Sequence, residues 1–181
     1  MLRSLVGDDL FREAIRTYLQ RHALSPVETD DLRETFEELS GRSLDRFFDQ
    51  WVYHAGFPEL KIRYRWLADQ QLAHVSVEQA APSEGRLVFE FETELQFLLP
   101  GEGAAADGAA APSQYQPVVE RIRVDQLKHD FYVRLPREPA IVRFDPRYTL
   151  LAKVDFEQPD AMLLAQARLE NDVMGRVLAC E

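Results

Sequence analysis

The sequence predicts an α+β chain: a short N-terminal helical segment over 1–57, an antiparallel β-sandwich over 58–156, and a return to helix over 157–181. Three observations predict it. The apolar period changes near Pro58 from helical recurrence to alternation. Roughly six alternating segments then follow one another without the helical crossovers that a parallel sheet requires. Helical spacing resumes after Pro159, a residue suited to a first helical position. With 181 residues and 46% apolar content, the chain can fill one sizeable core or two small ones.

In the first segment, Leu10, Phe11, Ala14, Ile15, Tyr18 and Leu19 recur on one helical face. Gly7 ends whatever precedes, which gives Leu2 and Leu5 to a separate helix, and Asp8 is placed to cap the new one. A further helix is expected to open at Thr29, whose hydroxyl accepts from free amides while Asp30 and Asp31 meet the positive end of the dipole. Its buried stripe is Leu32, Phe36 and Leu39, and Ser40-Gly41 closes it. The next helix starts near Ser43 and is expected to bury Leu44, Phe47, Phe48, Trp51 and Val52 before Gly56 and Pro58 stop it.

From Leu60 the period is two. Leu60, Ile62, Tyr64 and Trp66 alternate with Lys61, Arg63 and Arg65, and a second strand covers about Leu72 to Gln79. The clearest run sets Leu87, Phe89, Phe91, Thr93, Leu95, Phe97 and Leu99 against Glu90, Glu92, Glu94 and Gln96, giving a core face and an acidic face. Val118 to Gln126 carries Arg121 and Arg123, which antiparallel pairing would set across from those glutamates. Shorter strands are expected around Phe131 to Leu135 and Ala140 to Phe144. Between strands, 100–115 is rich in Gly and Ala and reads as a flexible surface loop. At the end, Met162, Leu163, Gln166 and Leu169 take helical spacing, and Asn171 caps a last helix carrying Val173, Met174 and Val177.

Thirty-one acids against 21 bases leave a net charge of −10, which opposes non-specific binding to nucleic acid or to an anionic membrane surface. No apolar run approaches the roughly 20 residues that span a bilayer. The expected setting is cytoplasmic, since Cys180 is the one cysteine and excludes an internal disulfide and any multi-thiolate zinc site.

Candidate chemistry is sparse. His22, His54, His74 and His129 include no pair three to five residues apart, so no helical zinc motif forms. There is no Gly-x-Ser-x-Gly elbow and no phosphate-cradling Gly-x-x-x-x-Gly-Lys loop. His54 is placed to satisfy carbonyls at the end of the aromatic helix, and Asp49 reads as structural. Alternation sets Arg63 and Arg65 opposite Tyr64 and Trp66, which argues against a mixed stacking platform built on that strand. No catalytic, cofactor-binding or metal-binding residue is assigned.

The run Leu44-Asp45-Arg46-Phe47-Phe48-Asp49-Gln50-Trp51, followed by Gly56-Phe57-Pro58-Glu59-Leu60 entering a β-module, resembles the C-terminal side of the catalytic domain of aminopeptidase N-like zinc metallopeptidases, the gluzincins. Met1-Leu2-Arg3 is similar to the end of their helix that follows a catalytic tyrosine. Phe144-Asp145-Pro146 with Leu150-Leu151-Ala152-Lys153 resembles the exit of their small β-sandwich domain, and Asp172-Val173-Met174-Gly175-Arg176, with Ala179, the start of a C-terminal helical-repeat region. The family's His-Glu-x-x-His, its downstream glutamate ligand, its Gly-x-Met-Glu-Asn loop and its catalytic tyrosine are all missing from this sequence. The resemblance therefore implies a scaffold portion that is inactive alone, buttressing a peptidase cleft and leading to helical repeats, with zinc belonging to a full-length parent. The partner it implies is an N-terminal catalytic part, and unpartnered apolar ends at Leu2, Leu5, Met174, Val177 and Leu178 would favour self-association. Because relatives of these peptidases include scaffold proteins without the zinc site, the alternative is a protein-interaction module from such a non-catalytic homologue.

Overall fold

A computed structural model describes residues 1–80, 87–101, 115–169 and 173–180, apart from the side chain of Leu178. Contacts divide the chain into two compact units, Met1–Phe57 and Pro58–Glu181. The expected loop over 100–115 lies outside the described residues from 102 to 114, as does Asn171.

The first unit holds α1 (Leu2–Val6), α2 (Asp8–Arg21), α3 (Thr29–Ser40) and α4 (Asp45–Phe48), which runs into a π-helical turn, Asp49–Tyr53. Gly7 breaks α1 from α2 at φ +88°, a conformation costly for a side chain bearing Cβ. The expected cap at Asp8 is corrected: Gly7 holds the cap position and Asp8 is the first helical residue. Both Asp8 carboxylate oxygens accept instead from Arg3, each at 2.7 Å. At α3 the cap is Glu28 rather than Thr29, in a reciprocal box with Asp31, whose Oδ2 accepts from Glu28 N at 2.7 Å. Gly41, left-handed at φ +66°, closes α3.

Ala14, Phe36, Leu44 and Phe48 form the buried core of this unit, ringed by half-buried side chains such as Leu10, Phe11 and Phe47. The Phe11 and Phe36 rings lie 5.5 Å apart. Trp51 and Val52 depart from the expected buried stripe, since Trp51 is half-exposed, Val52 exposed and Gln50 buried. The wider turn explains the shift: His54 N donates to Asp49 O at 3.0 Å, five residues back, and this extra residue rotates the face that a 3.6-residue period would bury.

The second unit contains β1 (Glu59–Leu67), β2 (Leu72–Gln79), β3 (Phe91–Pro100), β4 (Tyr115–Val124), β5 (Lys128–Arg134), β6 (Ile141–Phe144) and β7 (Lys153–Glu157), then α5 (Asp160–Ala167) and α6 (Val173–Leu178). They build a four-stranded sheet, β5-β2-β1-β7, and a three-stranded sheet, β4-β3-β6. All pairings are antiparallel except one: β7 lies parallel to β1, because the chain leaves the second sheet after β6 and re-enters the first. Ile62, Val75, Val77, Leu95, Phe97 and Val142 are fully buried, and the alternation expected on β3 buries Phe89, Phe91, Thr93, Leu95, Phe97 and Leu99 while leaving Leu87 exposed.

On the outer face of β3, the expected cross-strand pairing with β4 is present, with Glu94 opposite Arg121 and Glu92 opposite Arg123. Arg121 reaches Glu94 at 3.6 Å, and Arg123 bonds Glu90. The apolar end of the same face, Leu98 and Ile141, is covered by Ala165 and Leu169. Helix α5 thus packs on the sandwich before α6 begins. Where β6 ends, Asp145 turns the chain at φ +44°, a conformation Asp tolerates better than most residues. Its carboxylate accepts from Leu150 N at 2.7 Å and Thr149 Oγ1 at 3.0 Å, fixing the connection to β7.

Candidate functional site

Chemistry requires polar side chains to converge, and in the first unit they do so around Arg33. Its guanidinium lies 2.6 Å from Asp45, 2.8 Å from Glu37 and 3.3 Å from Asp30, at 18% side-chain exposure. Glu37 Oε1 accepts from Leu44 N at 2.5 Å, and Tyr53 Oη donates to Asp30 at 2.9 Å. One helix therefore holds the next at both ends: Glu37 meets the start of α4, and Asp30 meets the end of the π-helical turn. All three carboxylates are occupied by Arg33, the Leu44 amide or the Tyr53 hydroxyl, so this cluster locks geometry.

The Tyr53 hydrogen bond, followed by that of Arg33, holds the Asp30 carboxyl below its usual range, while Asp30 pushes the Tyr53 hydroxyl up. A carboxylate depressed in the folded state contributes stability that is present above its unfolded pKa, about 4, and is lost as pH falls through the folded value. The helical signal is therefore expected to melt at lower temperature as pH drops below about 4, and Asp30→Asn to flatten that dependence. Melting curves for both proteins across this range check it; parallel curves would rule the latch out as a contributor.

The histidines are placed separately. His22 lies against Tyr18, their rings 5.2 Å apart. His54 Nδ1 is 2.8 Å from Asp49 O, the carbonyl-satisfying role read from its position. On the four-stranded sheet, His74 Nε2 is 2.7 Å from Asp130 Oδ1, and its ring stacks on Tyr132 at 4.6 Å and 8°. His129 Nε2 is 2.9 Å from Asp125 Oδ1, with its ring against Phe131. His54, His74 and His129 each have a single acidic residue beside the ring, and His22 has the Tyr18 ring. Among the described residues, no three His, Cys, Asp or Glu side chains come together as a metal site needs, so the zinc implied for a parent finds no fitting donor set in them. Burial, reinforced by Glu138, pushes the Tyr64 hydroxyl well above its usual range, which keeps it protonated and unsuited to proton transfer near neutrality.

Sequence reasoning did not find the Arg33 hub or the two histidine–aspartate pairs. His74–Asp130 joins β2 to β5, a register the sequence does not encode, whereas Asp125 and His129 sit at i,i+4 across the turn into β5, a spacing that offered a signal. No helix among the described residues is long and apolar enough to cross a membrane.

Residues 1–51 match the model of the peptidase family M1 domain. The tricorn protease-interacting factor F2 of Thermoplasma volcanium is 37% identical over 62 residues, which are 34% of this chain and 8% of that protein. Aminopeptidase M1 of Arabidopsis thaliana is 28% identical over 116 residues, 59% of this chain and 13% of that one. Aminopeptidase N of Streptomyces lividans is 30% identical over 82 residues, 45% of this chain and 10% of its own length. The chain therefore spans only 8 to 13% of these relatives. The crystal structure of Legionella pneumophila aminopeptidase A in complex with aspartic acid superposes with a TM-score of 0.73 at 19% identity, covering 98% of this chain and 19% of that one. On these matches the chain is similar to part of aminopeptidase N-like proteins: its first 51 residues match the M1 domain, and nearly its whole length takes the fold of about a fifth of one solved aminopeptidase.

Proposed function

We propose that this chain is a non-catalytic C-terminal scaffold portion of an aminopeptidase-like zinc metallopeptidase. Its helical unit buttresses the peptidase cleft, and its sandwich links that unit to helical repeats. The observation that carries this reading is the ratio of the two coverages: one aminopeptidase fold accounts for 98% of the chain while using 19% of its own length. The metal and the reacting groups then belong to an N-terminal catalytic part, which is the partner. The surface supports such a partner. Leu5, Val52, Tyr53 and Phe57 are exposed in the helical unit, and Val173, Met174 and Val177 on α6. Without that part, the same side chains would drive self-association. The setting is the cytoplasm, where the exposed thiol of Cys180 stays reduced.

The test supplies an M1 catalytic part in trans. The chain alone is expected to retain no stoichiometric zinc after dialysis and to release no aminoacyl chromophore, and to melt at a higher temperature once the catalytic part is added. Tightly held zinc at one per chain, or a monomer whose melting ignores the addition, overturns the reading. The relative named as an interacting factor favours a second reading, a protein-interaction scaffold from a non-catalytic homologue. The reading frame upstream separates the two, since an encoded His-Glu-x-x-His belongs to a peptidase and a degenerate segment to a scaffold.

A further inference from the structure

The outer face of the four-stranded sheet is neutralised at one end and not at the other. Lys61 and Arg63 reach Glu157 at 2.8 and 2.9 Å, and Arg63 lies 3.7 Å from Glu78. Toward the far end the register sets Arg65 opposite His74 and His74 opposite Tyr132, with Arg134 two residues farther along β5. Strand alternation puts all four side chains on this face, because Ala73 and Val75, which flank His74, are fully buried on the other. Among the described residues, neither Arg65 nor Arg134 has a side-chain partner, and both are exposed. Tyr132 is 58% exposed and one face of its ring is stacked on His74, which Asp130 in turn fixes. The objection that β1 sets its arginines and aromatics on opposite faces is met by the neighbouring strands, which supply the aromatic rings on the arginine side.

We propose that this end of the sheet, built from Arg65, His74, Tyr132 and Arg134, docks an extended acidic peptide segment of a partner protein carrying an aromatic residue between two carboxylates. The inference goes beyond the scaffold reading and does not depend on it. Each guanidinium offers a donor fork that matches a carboxylate, and the exposed Tyr132 ring, on the Arg134 strand at the level of Arg65, offers stacking area beside the path from one to the other. Two strand spacings and a two-residue offset separate the arginines by about 12 Å, the reach of about four residues of extended chain. Carboxylates four apart, with an aromatic midway on the same side of the segment, therefore reach the two guanidinium groups while the aromatic lies beside Tyr132. A nucleic-acid strand fits less well, since its continuous phosphates would run past the two guanidinium groups to Asp130, Glu78 and Glu157 on the same face, where a segment with only two spaced carboxylates need not reach.

The probe is the blocked peptide Gly-Glu-Gly-Trp-Gly-Glu-Gly, titrated into the full chain at low salt and followed by tryptophan anisotropy and backbone amide shifts. Expected is saturable binding that weakens as salt is raised, weakens at least about tenfold in the Arg65→Ser/Arg134→Ser double variant, and is also reduced in Tyr132→Ala. All these positions are exposed, so the variants should melt as the parent does. If a peptide with Lys for Glu binds equally well, or the double variant binds unchanged, the proposal fails. Tighter binding of an eight-nucleotide oligo-dT than of the peptide would also overturn it, in favour of nucleic acid.

Discussion

Phe36→Ala is expected to unfold the helical unit while the sandwich stays folded. Phe36 is fully buried and sits among only three other buried apolar side chains, Ala14, Leu44 and Phe48. Truncating a buried Phe to Ala costs about 3–5 kcal/mol, from lost transfer energy and the cavity left behind. A unit of this size has a total stability of only about 3–8 kcal/mol at the usual value per residue, so one substitution removes most or all of it. The Arg33 cluster does not rescue the unit, because ion pairs near the surface contribute about 0–1 kcal/mol each. Loss of the helical circular-dichroism signal, with slow amide exchange retained on β1, β2 and β3, is the expected result. A single transition that shifts both signals together would show that the two units do not melt separately.

The same packing explains how much of the fold was legible in the sequence. Chain breaks at Gly7, Gly41 and Pro58 were readable because glycine and proline act locally, through backbone conformations that other residues avoid. The buried face of β3 was readable because alternation on a two-sided strand is an unambiguous signal, and the glutamate–arginine pairing with β4 followed once antiparallel pairing was assumed. What escaped depends on one-residue shifts and on distant partners. The π-helical turn exchanges Gln50 for Val52 at the buried face, a rotation invisible to a helical period. Glu28 outcompetes Thr29 as cap because its carboxylate and that of Asp31 each bond the other's backbone amide. The parallel placement of β7 rests on the turn at Asp145, whose two carboxylate hydrogen bonds no pattern of hydrophobicity records.

Gln79 is the other residue whose role only the folded chain reveals, and replacing it with Leu is expected to destabilise the sandwich by about 3 kcal/mol. At the end of β2 and 5% exposed, its Nε2 donates to Phe89 O at 2.8 Å and Gln126 O at 3.1 Å, and its Oε1 accepts from Phe89 N at 3.0 Å. Leucine keeps most of the volume, so the packing loss is small. It removes three hydrogen bonds at a place water reaches poorly, at about 1–3 kcal/mol for each polar group left without its partner. A lowered midpoint in urea with an unchanged slope is the expected observation. Gln79→Glu separates polarity from shape: its carboxylate still accepts from Phe89 N but has no proton for the two carbonyls. Burial against them raises that carboxyl's pKa above its unfolded value, so this variant should gain stability as pH falls toward 4, where protonation restores a donor. The Leu variant should show no such gain, and equal pH profiles for the two would mean that these bonds do not hold the strand ends together.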